Sequence, residues 1–399
     1  MCLQVWFHIW LLASLAFADP AFVGTASNGS LVLQPADGQQ LLIAGAEFRS
    51  LVMKLGELGT RVETLAQQLE GQQCIIAADT SSITVGGASA KWVGGVLAGN
   101  GKIYGMPYVS TSVLIIDPKT NAVDTTTIVG LSGSGKWSNA VLAGNGKIYG
   151  IPYNSPSVLI IDPTVNTADA TTISGLEGLD KWVGGVLAGN GKIFGIPLDS
   201  TSVLIIDPTN NTTDTNTIKG LSGTSKWRGG VLAGNGKIYG VPYDSPSVLI
   251  IDPTTNTADT TTIAGLNGIG KWWDGQLAAN GKIYCIPYGS ASVLIIDPTA
   301  NTTDRTTITN AGLAGPSKWV GSVLAGSGKI FGMPWDASSV LIIDPATNTV
   351  DTTTITGLGA GAFKWYDGVL VSNGKIYGIP YNSATVLVVQ HYCTTNKEL

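Results

Sequence analysis

Histidine is nearly absent from this chain of 399 residues, and charged side chains make up only 12% of it. The two histidines are His8, near the start, and His391, after the last predicted strand. A Ser-His-Asp triad, a Cys-His pair or a histidine-rich metal site would have to use His391, and nothing near it in the sequence suggests one. The net charge of −5 argues against the basic surface that nucleic-acid binding requires. We therefore predict no catalytic residues, no cofactor and no metal, and a protein that is not an enzyme.

Long hydrophobic runs are also lacking. After the first 18 residues, no apolar stretch approaches the roughly 18 residues that a membrane helix needs. The one apolar run near the start, residues 5–17, is shorter than a membrane span. It ends in Ala16-Phe17-Ala18, a pattern typical of the signal-peptide cleavage site. We therefore predict a signal peptide over residues 1–18, no membrane span, and a secreted, extracellular protein.

The chain is rich in glycine, with 52 residues, and in one repeated unit. The unit reads KWVGGVLAGNGKIYGMPYVSTSVLIIDPKTNAVDTTTIVGLSGSG over residues 91–135, and its Lys-Trp pair occurs seven times at intervals of 45, 45, 45, 45, 47 and 46 residues. A period of this length indicates stacked units that bury their apolar faces against their neighbours. The lysines of the seven pairs are Lys91, Lys136, Lys181, Lys226, Lys271, Lys318 and Lys364.

Each repeat predicts four short strands. Residues 92–98 and 102–108 flank an Asn-Gly pair, which predicts a type I′ hairpin turn with positive φ at both central residues. Residues 112–117 (SVLIID) are apolar without alternation, as in a strand covered on both faces. Residues 117–121 (DPKTN) predict a turn, because proline fixes φ while Asp and Asn bond their own backbone. The polar residues 124–129 (DTTTIV) predict an outermost fourth strand.

Four strands in 45 residues are typical of a β-propeller blade. The phrases NGKIYGIPY (145–153) and SVLIIDPTTNT (247–257) resemble the kelch and YVTN classes of propeller repeat, and the likeness covers residue 79 to the C-terminus. The chain departs from kelch repeats because Ile-Pro or Met-Pro replaces their Gly-Gly pair. The resemblance implies the fold and is nearly silent on activity. We predict an all-β, seven-bladed propeller over residues 74–399, with blades that start near the seven lysines.

The seventh repeat contains only three predicted strands, the last over residues 385–390. Residues 79–83 (DTSSI) precede Lys91 by 12 positions, as residues 124–128 precede Lys136. We therefore predict that an N-terminal strand completes the seventh blade, a closure that hides the edges an open array would expose.

Three cysteines lie beyond the predicted signal peptide. By repeat alignment, Cys74 falls at the position of Lys119 and Cys393 at that of Thr120, where every other blade has a covalent hairpin turn. We predict a Cys74–Cys393 disulfide, which agrees with an oxidising compartment. Cys285, in a second strand, is predicted to be a buried free thiol.

Two segments separate the predicted signal peptide from the propeller. Residues 19–45 indicate a short β-rich segment. Within residues 46–71, apolar side chains recur at 3-4-3-4-3-4 spacing, the seam of a coiled coil, although an amphipathic helix packed on the propeller is an alternative. A β segment followed by a coil resembles the stalks of trimeric fibres and adhesins, which implies a homo-oligomer, a trimer, formed through residues 46–71. The seam residues are Phe48, Leu51, Leu55, Leu58, Val62, Leu65 and Leu69.

Four asparagines stand in N-x-Ser/Thr contexts and are predicted glycosylation sites. The last three lie in turns between third and fourth strands. They are Asn28, Asn210, Asn211 and Asn301.

Two loops of each blade emerge on the same propeller face: the loop with the Lys-Trp pair and the loop between the second and third strands. Aromatic residues in the second loop are often followed by Asn or Asp, and such groups together stack on sugars and bond their hydroxyls. Candidate ligand contacts are Tyr153, Asn154, Tyr243, Asp244, Trp335 and Asp336. For the seven repeated tryptophans two interpretations stay open. They either pack between blades, with the lysine along the ring or paired to an Asp, or they bind ligand.

The residues that follow each Trp begin the innermost strands and vary between blades. Most are Gly or Val, so the polar and aromatic exceptions should gather near one mouth of the central channel. They form the main candidate site: Arg228, Trp273, Asp274, Tyr366 and Asp367. The alternative is that they line a water-filled channel without a partner.

Three function classes remain. The aromatic face and an oligomerising helix favour a recognition or adhesion protein that binds carbohydrate or an extracellular protein with avidity. Low charge and near-identical blades are also compatible with a structural component of an extracellular coat or fibre. An enzyme, for instance a lyase, would need an acid/base pair, for which only Asp274, Asp367 and a Tyr or Lys are available. We favour the first.

Overall fold

A computed structural model describes residues 72–359 and 361–395, three short strands before them, and the helical positions 54, 57–59 and 61. The predicted signal peptide, most of the predicted coil and Asn28 lie outside these residues. The chain divides into two compact units, Met1–Cys74 with Cys393–Leu399, and Ile75–Tyr392. In the first unit, β1 (Phe22–Thr25), β2 (Leu31–Gln34) and β3 (Leu41–Ile43) form an antiparallel sheet in that order.

The second unit is a seven-bladed β-propeller, as predicted. The first strands of the blades are β5 (Trp92–Leu97), β9 (Trp137–Leu142), β13 (Trp182–Leu187), β17 (Trp227–Leu232), β21 (Trp272–Leu277), β25 (Trp319–Leu324) and β29 (Trp365–Leu370). The second strands are β6 (Ile103–Pro107), β10 (Ile148–Pro152), β14 (Ile193–Pro197), β18 (Ile238–Pro242), β22 (Ile283–Pro287), β26 (Ile330–Pro334) and β30 (Ile376–Pro380).

The third strands are β7 (Leu114–Asp117), β11 (Leu159–Asp162), β15 (Leu204–Asp207), β19 (Leu249–Asp252), β23 (Leu294–Asp297), β27 (Leu341–Asp344) and β31 (Leu387–Thr395). The fourth strands are β8 (Ala122–Asp124), β12 (Thr167–Asp169), β16 (Thr212–Asp214), β20 (Thr257–Asp259), β24 (Thr302–Asp304), β28 (Thr349–Asp351) and, for the seventh blade, β4 (Gln72–Asp79). First strands of adjacent blades contact one another around the ring, β29 against β5 included, so they surround the central channel.

Closure of the ring by an N-terminal strand is confirmed, because the seventh sheet has the order β29-β30-β31-β4. The strand ends at Asp79, however, where the sequence predicted it to begin. Just beyond it, the Val386 amide donates to the Ile83 carbonyl at 3.0 Å, as the Val113 amide does to Ile128 in the first blade. Cys74 lies in β4 and Cys393 in β31, but their side chains are outside the described part of the chain, so the disulfide stays a prediction.

The same displacement affects every fourth strand, which was predicted over residues 124–129 and lies over Ala122–Asp124 in the first blade. The cause is the aspartate itself. Asp124 Oδ1 accepts from the amides of Thr126 (2.8 Å) and Thr127 (3.0 Å), and this local bonding turns the chain away from the sheet. The Thr127 hydroxyl and the Thr126 amide and hydroxyl lower the pKa of Asp124 to about 2. These aspartates therefore end strands.

The predicted type I′ hairpin turn is also wrong. The Gly101 amide donates to the Ala98 carbonyl at 2.9 Å, and only Gly101 (φ 79°) has positive φ, so the turn is type I followed by a left-handed glycine. The Asn100 side chain explains the preference. Its Oδ1 accepts from the Lys102 amide (3.0 Å), and its Nδ2 donates to the Pro163 carbonyl of the next blade (2.9 Å).

Neighbouring blades are joined by a buried Tyr–Asn hydrogen bond. In five blades the second-strand tyrosine donates to the last asparagine of the next blade's D-P-x-x-N turn. The pairs are Tyr104–Asn166 (2.7 Å), Tyr149–Asn211 (2.8 Å), Tyr239–Asn301 (3.4 Å), Tyr284–Asn348 (2.8 Å) and Tyr377–Asn121 (3.2 Å). The last pair joins the seventh blade to the first. Phe194 and Phe331 replace the tyrosine in the third and sixth blades.

The hydrophobic core lies between the blades. One cluster, for example, packs Trp272 and Ile283 of one blade against Tyr239 and Val241 of the preceding blade. The longest repeat interval, 47 residues, accommodates the short 3₁₀ helix η1 (Ala311–Leu313), which Asn310 caps. Cys285 is buried within this core as a free thiol, as predicted.

Candidate functional site

The two predicted loops do lie on one face of the propeller, which we call the mouth face. The Lys136 amide donates to the Tyr108 carbonyl at 3.0 Å, and the Tyr108 amide donates to the Lys91 carbonyl at 2.9 Å. These bonds tie each Lys-Trp loop to the loops between second and third strands, and they link one blade to the next around the ring.

The repeated Lys-Trp pair is structural. Trp227 is 3% exposed, and its Nε1 donates to the Ser247 carbonyl at 2.7 Å. Lys226 is equally buried, and its Nζ donates to the carbonyls of Leu198 (2.8 Å), Ser200 (3.0 Å) and Gly223 (2.8 Å). Burial lowers the pKa of Lys226 to about 8. The ligand-binding interpretation of the tryptophans is therefore wrong, and the lysine binds carbonyls where an aspartate partner had been considered.

The predicted Asn and Asp contacts of the second loop are partly engaged by the protein. Asn154 Oδ1 accepts from the Asp180 amide (2.7 Å), Asp244 Oδ1 from the Gly270 amide (2.6 Å), and Asp336 Oδ1 from the Phe363 amide (2.8 Å). Each bond holds the next blade's loop. One oxygen of each side chain therefore has a structural role, and the second polar atom of each remains for any ligand.

Aromatic side chains converge around the mouth of the channel. We call them the aromatic cluster: Tyr243, Trp273, Tyr288, Trp335, Tyr366 and Tyr381. Neighbouring ring centroids are 4.8 to 6.3 Å apart, for instance 4.8 Å between Trp273 and Tyr288 and 4.9 Å between Trp335 and Tyr381. Tyr108 continues the arc from Tyr381 (5.7 Å) to Tyr153 (5.8 Å), and the buried Leu198 interrupts it. Tyrosines of the second loops and the mouth residues Trp273 and Tyr366 thus form one cluster, in which Trp273 and Trp335 are buried and the tyrosines are half-buried.

Arg228 lies against this cluster. Its guanidinium carbon is 3.9 Å from the ring centroid of Trp273 and 4.5 Å from that of Tyr243. Both are cation–π distances. The side chain as a whole is half-buried, whereas its Nε is fully buried and has no hydrogen-bond partner.

Asp274 and Asp367 lie at the channel, each one residue after the mouth residues Trp273 and Tyr366. Their position is part of a β-bulge that occurs in all seven first strands. Asp274 Oδ2 accepts from the Ser322 hydroxyl at 2.7 Å, and Asp367 Oδ1 accepts from the Gly368 amide at 2.8 Å. Both residues are half-buried, and protein surrounds their carboxylates, as expected in a narrow channel. This desolvation raises the pKa of Asp274 and, together with the charge of Asp274, raises that of Asp367 well above its ordinary value.

Phe363 is a residue of the site that the sequence analysis missed. The position before each Lys has positive φ in every blade, and Ala, Gly, Asp or Ser occupies the other six. Phe363 adopts φ 60°, is 41% exposed, and stacks on Trp335 with a centroid distance of 4.9 Å. A bulky side chain in left-handed backbone is strained, and such strain is concentrated at functional sites. The available signal was one aromatic residue at a position otherwise held by small or polar ones.

The predicted glycosylation asparagines within the described chain differ in access. Asn210 and Asn301 are exposed, whereas Asn211 is half-buried and accepts the Tyr149 hydroxyl. Within the described residues, no group of His, Cys, Asp and Glu side chains could hold a metal ion. The described helical positions include no helix with the length and apolar content to cross a bilayer.

Comparison with solved structures identifies similar propellers. A streptogramin B lyase is 11% identical, with a TM-score of 0.60 over 80% of this chain and 98% of that one. An inactive virginiamycin B lyase from Staphylococcus aureus, solved with quinupristin, is 9% identical, with a TM-score of 0.61 over 80% and 99% of the two chains. The extracellular domain of a hybrid two-component system from B. thetaiotaomicron is 9% identical, with a TM-score of 0.60 over 92% and 46%. Identities this low show a shared fold alone. No family model and no curated protein matches the sequence.

Proposed function

We propose that the protein is an extracellular recognition protein that binds carbohydrate on the mouth face, at the aromatic cluster extended by Phe363. The observation that carries this proposal is the strained, 41% exposed Phe363 stacked on Trp335 at the rim of the aromatic cluster, whose tyrosines are half-buried. Sugar rings present apolar C–H faces to such planes, while Asn154 Nδ2 can donate to their hydroxyl groups, Asp336 Oδ2 can accept from them, and the tyrosine hydroxyls can do either.

The similar structure from the hybrid two-component system supports an extracellular setting, because it is that of an extracellular domain. The predicted coil over residues 46–71 would present several mouth faces together and so raise a weak single-site affinity. Leu58, at a seam position of this coil, is 56% exposed in the single chain. Replacing it in the full chain (Leu58→Asp) should reduce the absolute mass measured by light scattering to that of one chain. An unchanged mass would remove the coil from the proposal.

Phe363→Gly is the decisive variant, because Gly135 and Gly270 occupy the same position in other blades. We expect a glycan array to identify a carbohydrate for the wild-type protein. Calorimetry with that carbohydrate should show affinity reduced about 3–10-fold by the variant, the loss of one stacking contact. Its melting temperature should be equal or higher, because glycine relieves the strain at positive φ.

Ile269→Ser is the matched control. Ile269 is 83% exposed in the corresponding loop of another blade and lies outside the aromatic cluster, so its removal should leave affinity unchanged. Absence of binding across the array, or a Phe363→Gly variant that is less stable but binds normally, would contradict the proposal.

We propose binding and not catalysis. Two of the similar structures are of lyases, and one of them was solved with quinupristin, so quinupristin is the compound with which to test for lyase activity. Asp274 and Asp367 are candidate proton donors, and their raised pKa values would suit that role. Incubation of the protein with quinupristin should give no product by mass spectrometry. Turnover that Asp367→Asn abolishes would overturn the assignment.

A further inference from the structure

The guanidinium of Arg228 packs against aromatic rings, but no described residue accepts a hydrogen bond from it. Its planar group lies 3.9 Å from the ring centroid of Trp273 and 4.5 Å from that of Tyr243. Among the described residues, no carboxylate forms an ion pair with it and no carbonyl or hydroxyl accepts from it, and its buried Nε is without a partner. A buried charged donor without an acceptor is unfavourable, so the arrangement requires a reason.

The repeat itself provides the comparison. Every cation of the Lys-Trp pairs is buried, more so than Arg228, and each is satisfied by two or three backbone carbonyls, as for Lys181 with Tyr153, Ser155 and Gly178. The fold can therefore satisfy a buried cation on this face. At the position of Arg228 the other blades have Val, Ser, Trp or Tyr, so no repeated structural role calls for a guanidinium there.

The nearby carboxylates do not serve as its counter-ions. Asp274 bonds to Ser322, and Asp367 bonds to Gly368. The charge of Arg228 instead acts on tyrosines of the mouth, where it partly offsets the desolvation that raises the pKa of Tyr108, Tyr243 and Tyr366. The positive charge is thus directed toward the tyrosine-lined surface that a ligand would occupy.

We propose that Arg228 binds an anionic group, a carboxylate or sulfate, of an acidic carbohydrate whose ring stacks on the aromatic cluster. The guanidinium fork matches the two oxygens of such a group and donates two parallel hydrogen bonds. The two terminal nitrogens, which have no acceptor among the described residues and are not enclosed as Nε is, would then have acceptors. This inference rests on the proposed function and narrows its ligand class. Because the chain carries a net charge of −5, an acid preference has to come from a local site and not from the overall field.

The test uses matched probes that differ only in charge. The full chain is titrated with tetragalacturonic acid and with its methyl ester, and with dextran sulfate and dextran, while tryptophan fluorescence and calorimetry report binding. We expect the wild-type protein to bind at least one anionic probe about tenfold or more tightly than its neutral counterpart. The pair that shows the preference distinguishes carboxylate from sulfate.

Three variants test whether Arg228 causes the preference for the anionic probe. Arg228→Gln should bring the affinities for the anionic and neutral probes to the same value, whereas Arg228→Lys should retain part of the preference, because lysine keeps the charge and loses the fork. Arg305→Gln, at an exposed position, should behave as wild type. Melting temperatures verify folding.

Equal affinity for charged and neutral probes, or a preference that survives in Arg228→Gln, overturns this inference alone. Absence of binding to every probe and to the glycan array overturns the proposed function with it.

Discussion

The missing Tyr–Asn bond between the third and fourth blades allows a sharp test of what joins the ring. Phe194 stands where five other blades have tyrosine, and the Asn256 Oδ1 that would accept its hydroxyl is buried without a partner. Asn190 Nδ2 also bonds only the Pro253 carbonyl (2.9 Å), whereas Asn145 bonds both the corresponding carbonyl and the Tyr149 hydroxyl. A hydroxyl on Phe194 would therefore find a donor and an acceptor already in place.

Phe194→Tyr should stabilise the protein. A net hydrogen bond contributes about 0.5–1.5 kcal/mol, and an unsatisfied buried acceptor costs about 1–3 kcal/mol. Since one hydroxyl both forms the bond and satisfies the acceptor, we expect a gain of about 1–2 kcal/mol. This corresponds to a melting temperature raised by about 2–4 °C for a domain of this size. Large propellers can unfold irreversibly, so the unfolding rate in guanidinium is the safer measurement, and it should fall.

Two variants control this experiment. Tyr149→Phe recreates the defect at Asn211 and should cost about 1–3 kcal/mol. Phe331→Tyr adds a hydroxyl where the seventh blade lacks the D-P-x-x-N turn and the His391 ring lies 5.5 Å away, so no gain is expected. If Phe194→Tyr were neutral while Tyr149→Phe was costly, Asn256 would have to be satisfied in some other way, and the reasoning would fail.

Three further predictions concern stability. Lys181→Met leaves three carbonyls without their donor and should cost about 3–5 kcal/mol, seen as a large drop in the denaturation midpoint; a loss under about 1 kcal/mol would contradict the structural role of the lysine. Burial raises the folded-state pKa of Asp367, so the stability that this one group contributes is fully present below its ordinary pKa of 3.8 and is lost as pH rises through the folded pKa. Asp367→Asn, which copies Asn139 of the second blade, should therefore gain stability relative to wild type as pH rises from 3.8 towards neutral pH, measured as the difference between the two denaturation midpoints. Finally, a non-reducing peptide map should show Cys74 linked to Cys393, and reduction should cost on the order of 4–5 kcal/mol; two free thiols would end that prediction.

The architecture was predictable because the same sequence pattern recurs seven times. The period gave the blades, and the missing fourth strand of the last repeat gave the closure by β4. The geometry of the turns was less predictable, because Asn and Asp can each adopt more than one local conformation. Asn-Gly is compatible with a type I′ turn and with a type I turn followed by a left-handed glycine. The bond from Asn100 to the Pro163 carbonyl of the next blade favours the second of these. Asp124 can begin or end a strand, and its bonds to Thr126 and Thr127 decide that it ends one.

The candidate site was predictable only in part. The variable residues Arg228, Trp273 and Tyr366 do meet at the mouth, because the register of the repeat assigns them to the innermost strands. The satisfaction of the lysines by carbonyls could not be foreseen, since it depends on backbone groups of the preceding blade's loops. The orphaned Nε of Arg228 could not be foreseen either, since it depends on how the side chains of Tyr243 and Trp273 pack around the guanidinium. Phe363 was missed because its significance lies in its φ angle and not in its residue type alone.

The channel ring also shows how close packing limits polar residues in a propeller. The seven bulge positions are Gly94, Asn139, Gly184, Gly229, Asp274, Gly321 and Asp367. Each Asn or Asp lies against the preceding blade's glycine so tightly that a Cβ there would come within 2.5 to 2.7 Å of its Oδ1. Two such side chains therefore cannot occupy adjacent blades, and a ring of seven positions then accepts at most three. The chain has three, so its channel carries as many Asn and Asp side chains at the bulge as the geometry permits.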